Sequence, residues 1–302
     1  MTKYRAWLSA ARLRTLPLSL SGILVGTAVA NIYGYWNLTI FILALITTVA
    51  FQITSNFAND YGDGIKGTDN EDRIGPKRAY QSGRLSKSEI IKGIRISVVI
   101  DLFLIFLLLY FAFQDEHLMY VVLFVILGMA SIWAAIKYTV GNNAYGYKGF
   151  GDLFVFLFFG LLSVLGSMFL FTKFLTSMAV LPAASIGFLS TAVLNLNNLR
   201  DIVSDKKANK NTVIVKIGLS KGKVYHYTLI ILAFISMLIF VGNHFYSWKS
   251  GICLIAFVPL FIHLRVVSKI ENPRNFDPEL KKVALSTFLL GLLFYIGYNY
   301  FL

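Results

Sequence analysis

The chain has 302 residues, of which 57% are hydrophobic and only 14% charged, with a formal net charge of +13. Soluble domains carry about 25% charged residues, so this composition excludes an ordinary soluble enzyme. The basic excess lies between long apolar runs, which points it at a membrane surface and away from nucleic acid.

In chain order, apolar runs near residues 15–34, 38–57, 90–113, 119–139, 151–172, 175–197, 224–242, 250–268 and 283–301 are each long enough to cross a bilayer as a helix, which takes about 20 residues. The expected fold class is an all-α integral membrane protein, a bundle of nine transmembrane helices. The apolar stretch after Lys3 and Arg5 is too long for a signal peptide and leads directly into a second run, so it reads as a retained helix. With the N-terminus in the cytoplasm, 26 of the 28 Lys and Arg fall on the inside segments, leaving Lys173 and Lys249 outside; Asp115 and Glu116 also fall outside. The positive-inside rule then places the C-terminus outside.

The second run ends in NFANDYGDGIKGTDNEDRIGPKRAYQSGR. If its helix continues through Asp63, then Asn56, Asp60 and Asp63 stand at i, i+4 and i+7 and share one face. Asp101, inside the third run, is a rare intramembrane carboxylate and reads as a structural acid bonded to a neighbouring helix. Lys137, Tyr138 and Tyr145 sit near the end of the fourth run and Asp152 opens the fifth. They are candidates for an aromatic-acceptor site, the alternative being interfacial belt aromatics and a helix N-terminal acid. The sixth run ends in NLNNLRDIVSDKKANKNT, where Asn197, Asp201 and Asp205 fall at i, i+4 and i+8, with Asn198 beside them.

The two Asn/Asp segments, 56–92 and 195–223, are four runs apart and leave the membrane on the same cytoplasmic side. That suggests a weak parallel repeat within a single domain spanning 1–302. Aligned carboxylates at a bundle mouth repel one another unless a cation joins them. Oxygen-only ligands, Asp60, Asp63, Asp201 and Asp205 with Asn56 and Asn197, suit Mg²⁺ shared with phosphate oxygens. Four carboxylates and a diphosphate bring about −7 while two Mg²⁺ return about +4, so cations must cover the rest. Lys66, Arg73, Lys77 and Arg78 follow the first cluster, and Arg200, Lys206 and Lys210 surround the second. The lone Cys253 excludes an intrachain disulfide, and the four histidines (117, 226, 244, 263) lack ligand spacing and read as packing residues.

These segments resemble the two Asp-rich motifs of the UbiA superfamily of intramembrane prenyltransferases. RIGPKRAYQSGRLS, YTVGNNAYGYKGFGD and NNLRDIVSDKKANKNT are most similar to its naphthoate branch. The wider superfamily spaces its first motif NxxxDxxxD; here position 64 is Gly and the second carboxylate is Asp63, as in the naphthoate branch, which leaves the part played by Asp69 open. The resemblance implies an enzyme of the bacterial inner membrane. It would carry out Mg²⁺-dependent transfer of a polyprenyl group from its diphosphate to 1,4-dihydroxy-2-naphthoate, with loss of the carboxylate, in menaquinone biosynthesis. The alternatives are another aromatic acceptor (4-hydroxybenzoate or homogentisate) and, from a different class, a cation-coupled secondary transporter.

Overall fold

A computed structural model describes residues 2–69, 74–75, 77–114 and 118–299. Among these, all regular structure is helical, and nine helices are long and apolar enough to cross a membrane. They are α1 (Lys3–Ile32), α2 (Leu38–Ile65), α3 (Lys87–Phe113), α4 (Leu118–Lys137), α5 (Gly151–Thr172), α6 (Ser177–Arg200), α7 (Val213–Asn243), α8 (Trp248–Lys269) and α9 (Pro273–Asn299).

The helix starts follow from capping chemistry. Asn37 Oδ1 accepts the Ile40 N–H at 3.1 Å at the head of α2, and Thr212 Oγ1 accepts the Val215 N–H at 3.2 Å at the head of α7. Ser86 and Glu89 cap α3 reciprocally, each satisfying a backbone donor that the first turn leaves open. Several helices extend past the apolar runs. α2 continues to Ile65, which carries Asp63 on the helix as expected, and α7 starts at Val213, eleven residues before the apolar run expected at 224. α1 bends at Arg12 and α7 at Gly218, both at positive φ (48° and 80°).

α1 and α6 form the buried centre of the bundle. α6 packs on α5, α7 and α9, and α1 on α5 and α9, while α2, α3 and α4 pack together beside them. The α1–α5 seam is set by size: Gly22 lies over Ser163 and Gly26 over Ser167, so closely that a Cβ at Gly26 would stand 2.0 Å from Ser167 Oγ. Small residues of this kind let helix backbones approach in lipid, where burial of apolar surface gives no net drive. α4 is the most exposed span. Leucines, phenylalanines and isoleucines on α3 and α4 face outward, Phe106 being 67% exposed, as expected of surfaces solvated by lipid tails.

Residues Phe156–Gly166 of α5 adopt π-helical hydrogen bonding, a form often found at functional sites. This segment supplies one wall of a largely apolar cavity of about 360 Å³ enclosed by α1 to α6, with Phe51, Asn59, Leu108, Phe158 and Leu162 in its lining. Asp101 is fully buried and accepts a hydrogen bond from Thr54 of α2 at 2.7 Å, the structural role expected of it. Two of the histidines depart from plain packing. His226 and His263 approach to 2.8 Å, and His263 Nδ1 meets Glu279 at 2.5 Å, all three buried.

Candidate functional site at the mouth of the cavity

The two Asn/Asp segments lie at the same end of the bundle and converge on the loop 138–150. Tyr147 of that loop is the meeting point. Its hydroxyl donates to Asp63 Oδ1 at 2.8 Å and also pairs with Thr68 Oγ1. Its ring lies under Lys66 Nζ (3.9 Å to the centroid) and within 5.6 Å of Lys210 Nζ. Its backbone carbonyl accepts the Asn211 N–H at 3.0 Å, tying the loop to the second segment.

On α2, Asn56, Asp60 and Asp63 are all buried (2%, 0% and 6% exposed), yet they do different things. Asn56 Nδ2 donates to Ala11 O at 2.8 Å and Thr15 Oγ1 at 3.2 Å, binding α2 to α1. Asp60 accepts the backbone N–H groups of Ala79 (3.2 Å) and Tyr80 (3.3 Å), which fixes the return segment. Asp63 is the one that faces Tyr147, with Arg78 Nη2 at 3.8 Å. The cavity face of α2 runs through Gln52, Ser55 and Asn59, and Asp63 and Lys66 continue it at four and seven residues from Asn59. Asn59 therefore belongs to the site. The i, i+4, i+7 pattern from Asn56 shares Asp63 with this face, while Asn56 and Asp60 lie about one residue round from it. Asp69 is also buried, 3.4 Å from Arg78 Nε.

At the end of α6 the helix bends at Asp201 (φ −96°, ψ 12°) and resumes as the short helix Ile202–Lys207. Hydrogen bonds of helical spacing run through the bend, Asp201 N–H to Asn197 O at 3.0 Å and Asp205 N–H to Asp201 O at 2.9 Å, so the expected register survives. Arg200 lies buried among acceptors. Nε and Nη2 hold both oxygens of Asp201 (2.8 and 2.6 Å), Nη2 also reaches Asn197 Oδ1 at 2.7 Å, and Nη1 reaches Asp277 of α9 at 2.6 Å. Such a bidentate pair is strong and directional. Asp205 meets Lys210 Nζ at 3.5 Å through Oδ1, while its Oδ2 and the Oδ1 of Asn198 are buried with no hydrogen-bond partner.

The electrostatics couple the segments. Burial pushes the Asp205 carboxyl up to about 6, and the charges of Asp201 and Asp63 add to the rise that Lys210 opposes. Burial works against the Lys210 ammonium, but Asp205 and Asp63 outweigh it and hold its pKa above the ordinary lysine value. Burial, then Asp63, likewise keeps the Tyr147 phenol protonated well above its usual range.

Of the other sequence candidates, Lys66, Arg78, Arg200 and Lys210 are brought to this mouth, whereas Lys77 and Lys206 are exposed and Arg73 lies outside the described residues. Tyr138 and Tyr145 line the cavity, and Tyr145 stacks on Phe154 with centroids 3.9 Å apart. Lys137 is exposed, its side chain turned away because it precedes Tyr138 by one helical position. Asp152 is buried beside the site and accepts from Tyr225 at 3.3 Å.

Over residues 19–281 the chain matches the UbiA prenyltransferase family. It is 40% identical over 301 residues to a 1,4-dihydroxy-2-naphthoate octaprenyltransferase of Haemophilus influenzae, an alignment that covers 98% of this chain and 96% of that one. Its fold is similar to the apo structure of a UbiA homologue from Aeropyrum pernix, with a TM-score of 0.67 at 13% identity and coverage of 93% and 99%. A UbiA homologue from Archaeoglobus fulgidus bound to DMAPP and Mg²⁺ gives a TM-score of 0.58 at 14% identity, with coverage of 96% and 99%.

Proposed function

The chain belongs to the UbiA prenyltransferase family, and from that premise we propose that it transfers a polyprenyl group from polyprenyl diphosphate to 1,4-dihydroxy-2-naphthoate, with loss of the carboxylate. The observation that carries this reading is the identity to a naphthoate prenyltransferase over nearly the full length of both chains. The proposed setting is a single domain in the bacterial inner membrane, N-terminus inside, with both Asn/Asp segments at the cytoplasmic face.

Asn56, Asp60, Asp63, Asn197, Asp201 and Asp205 make up the proposed Mg²⁺ site, with Asn59 and Asn198 added from their placement. The donor set is all oxygen, and the partnerless buried oxygens of Asp205 and Asn198 would be satisfied by a cation. Among the described residues no three His, Cys, Asp or Glu side chains converge to cage an ion alone. That suits an ion which shares phosphate oxygens. When bound, Mg²⁺ supplies charge neutralisation to the departing diphosphate.

The chain's own residues account for the rest. Lys66 and Lys210 flank Tyr147 and, with Arg78 and Arg200, provide the positive field that favours cleavage of the allylic C–O bond; Lys77, Lys206 and Arg73 are further proposed contributors from the same two sequence segments. The apolar cavity holds the prenyl chain and keeps water from the allylic cation. Tyr138 and Tyr145, on the cavity wall just inside the mouth, would stack and orient the acceptor ring, with Lys137 and Asp152 nearby.

The test is product formation by purified protein supplied with a polyprenyl diphosphate, Mg²⁺ and each aromatic acid in turn. Prenylated, decarboxylated naphthoquinol should form. Turnover of 4-hydroxybenzoate or homogentisate with none of dihydroxynaphthoate would overturn the acceptor assignment. Full activity in Asp201→Ala would overturn the metal assignment.

A further inference from the structure

A second site lies away from the catalytic mouth, where the end of α8 meets the start of α9. Arg265, Lys269, Arg274 and Asn275 line a groove there, together with Ile262 and Val266. Among the described residues, none of the three cations has an ion-pair partner. The groove has one carboxylate in its lining, Glu279, and it is already balanced. Glu279 is 2% exposed, and its two oxygens receive His263 Nδ1–H and the Lys282 ammonium, both at 2.5 Å. The groove therefore presents three uncompensated positive charges and an amide donor, with no free negative charge opposing an anion from below.

The apolar side of the groove says which anion fits. Ile262 is 58% exposed and Val266 38%, and they continue a stripe of exposed residues along α8 through Val258 (56%) and Ile255 (60%). These positions recur at helical spacing on one face, on a span that ends in Lys269. A ligand with phosphate at the groove and hydrocarbon along the stripe satisfies both halves; a soluble phosphate would leave the stripe unused. We propose that this groove binds the phosphodiester headgroup of an anionic glycerophospholipid, with its acyl chains laid along α8. Basic pockets between spans at the membrane–water boundary recognise headgroups by this same pairing.

The experiment is native mass spectrometry of the full-length, delipidated protein titrated with phosphatidylglycerol, with phosphatidylcholine and inorganic phosphate as separate arms. Arg265→Gln/Lys269→Gln/Arg274→Gln should weaken phosphatidylglycerol binding at least about tenfold. Arg84→Gln/Lys87→Gln/Lys92→Gln, which removes three exposed cations at the head of α3, should leave it unchanged. Should the first triple variant fail to fold, Arg274→Gln alone serves, since that residue is exposed, and it too should weaken phosphatidylglycerol binding. Equal losses in both triple variants would reduce the effect to bulk surface charge and overturn the site. Retained binding in the groove variant, equal retention of phosphatidylcholine, or protection by inorganic phosphate at similar concentration would each overturn it too. The readout is lipid binding, so its outcome is independent of the prenyl-transfer assay.

Discussion

Tyr147 holds the two Asn/Asp segments in register through one hydroxyl, one ring and one carbonyl. Removing only the hydroxyl separates these parts. Tyr147→Phe keeps the ring under Lys66 but leaves Asp63 without its donor, and hydrogen bonds to charged groups are worth about 1.5–3 kcal/mol. We expect kcat/KM to fall about 10- to 100-fold and the thermal midpoint to drop by a few degrees, which steady-state kinetics and a melting curve will check. Asp205 gives a second prediction. Its folded carboxyl lies near 6 and so takes up a proton as pH falls through that value, and a proton there would compete with the proposed Mg²⁺. The apparent Mg²⁺ dissociation constant should be flat above about pH 6 and rise about tenfold per pH unit below it; a profile flat to pH 5 would remove Asp205 from the metal site. The carboxylates were legible in the sequence because acids in so apolar a chain are conspicuous. Tyr147 was not, since its contact with Asp63 spans 84 residues. Asn59 was missed because spacing alone cannot tell which of two adjacent helix faces looks into the cavity.

At the scale of helices, all nine spans could be read from apolar runs, while their ends could not. α2 and α7 run on into polar sequence because a cap or the mouth's own hydrogen bonds, and not hydrophobicity, decide where they stop. The π-helical stretch of α5 left no mark in the sequence either, since Phe156–Gly166 is apolar throughout except for Ser163 and carries no periodic signal. The α1–α5 seam supplies a test of what holds the elements together. Gly26→Val would drive a side chain into Ser167 and the backbone of Val164, and overpacking costs about 1–3 kcal/mol. The thermal midpoint in detergent should drop by several degrees. Gly242, which has nothing within 4 Å of its would-be Cβ, should accept Ala with no drop.

For the whole molecule, the charge distribution makes an orientation that labelling can check. Cys253, the sole cysteine, is buried, so a single introduced cysteine reports without background. Lys221→Cys should react with an impermeant maleimide only from the cytoplasmic side of sealed vesicles, and Lys249→Cys only from the other. The reverse pattern would invert the proposed topology and put both Asn/Asp segments on the opposite face of the membrane.

Arg200 has a consequence that its four hydrogen bonds do not announce singly. One guanidinium serves two clients on different helices, Asp201 at the end of α6 and Asp277 at the start of α9. Any divalent ion that claims the oxygens of Asp201 competes with that grip, and what Arg200 loses there it can redirect to Asp277 or to an arriving phosphate. Loading of the proposed ion would thus be felt at the head of α9 through the exchange of Arg200's partners.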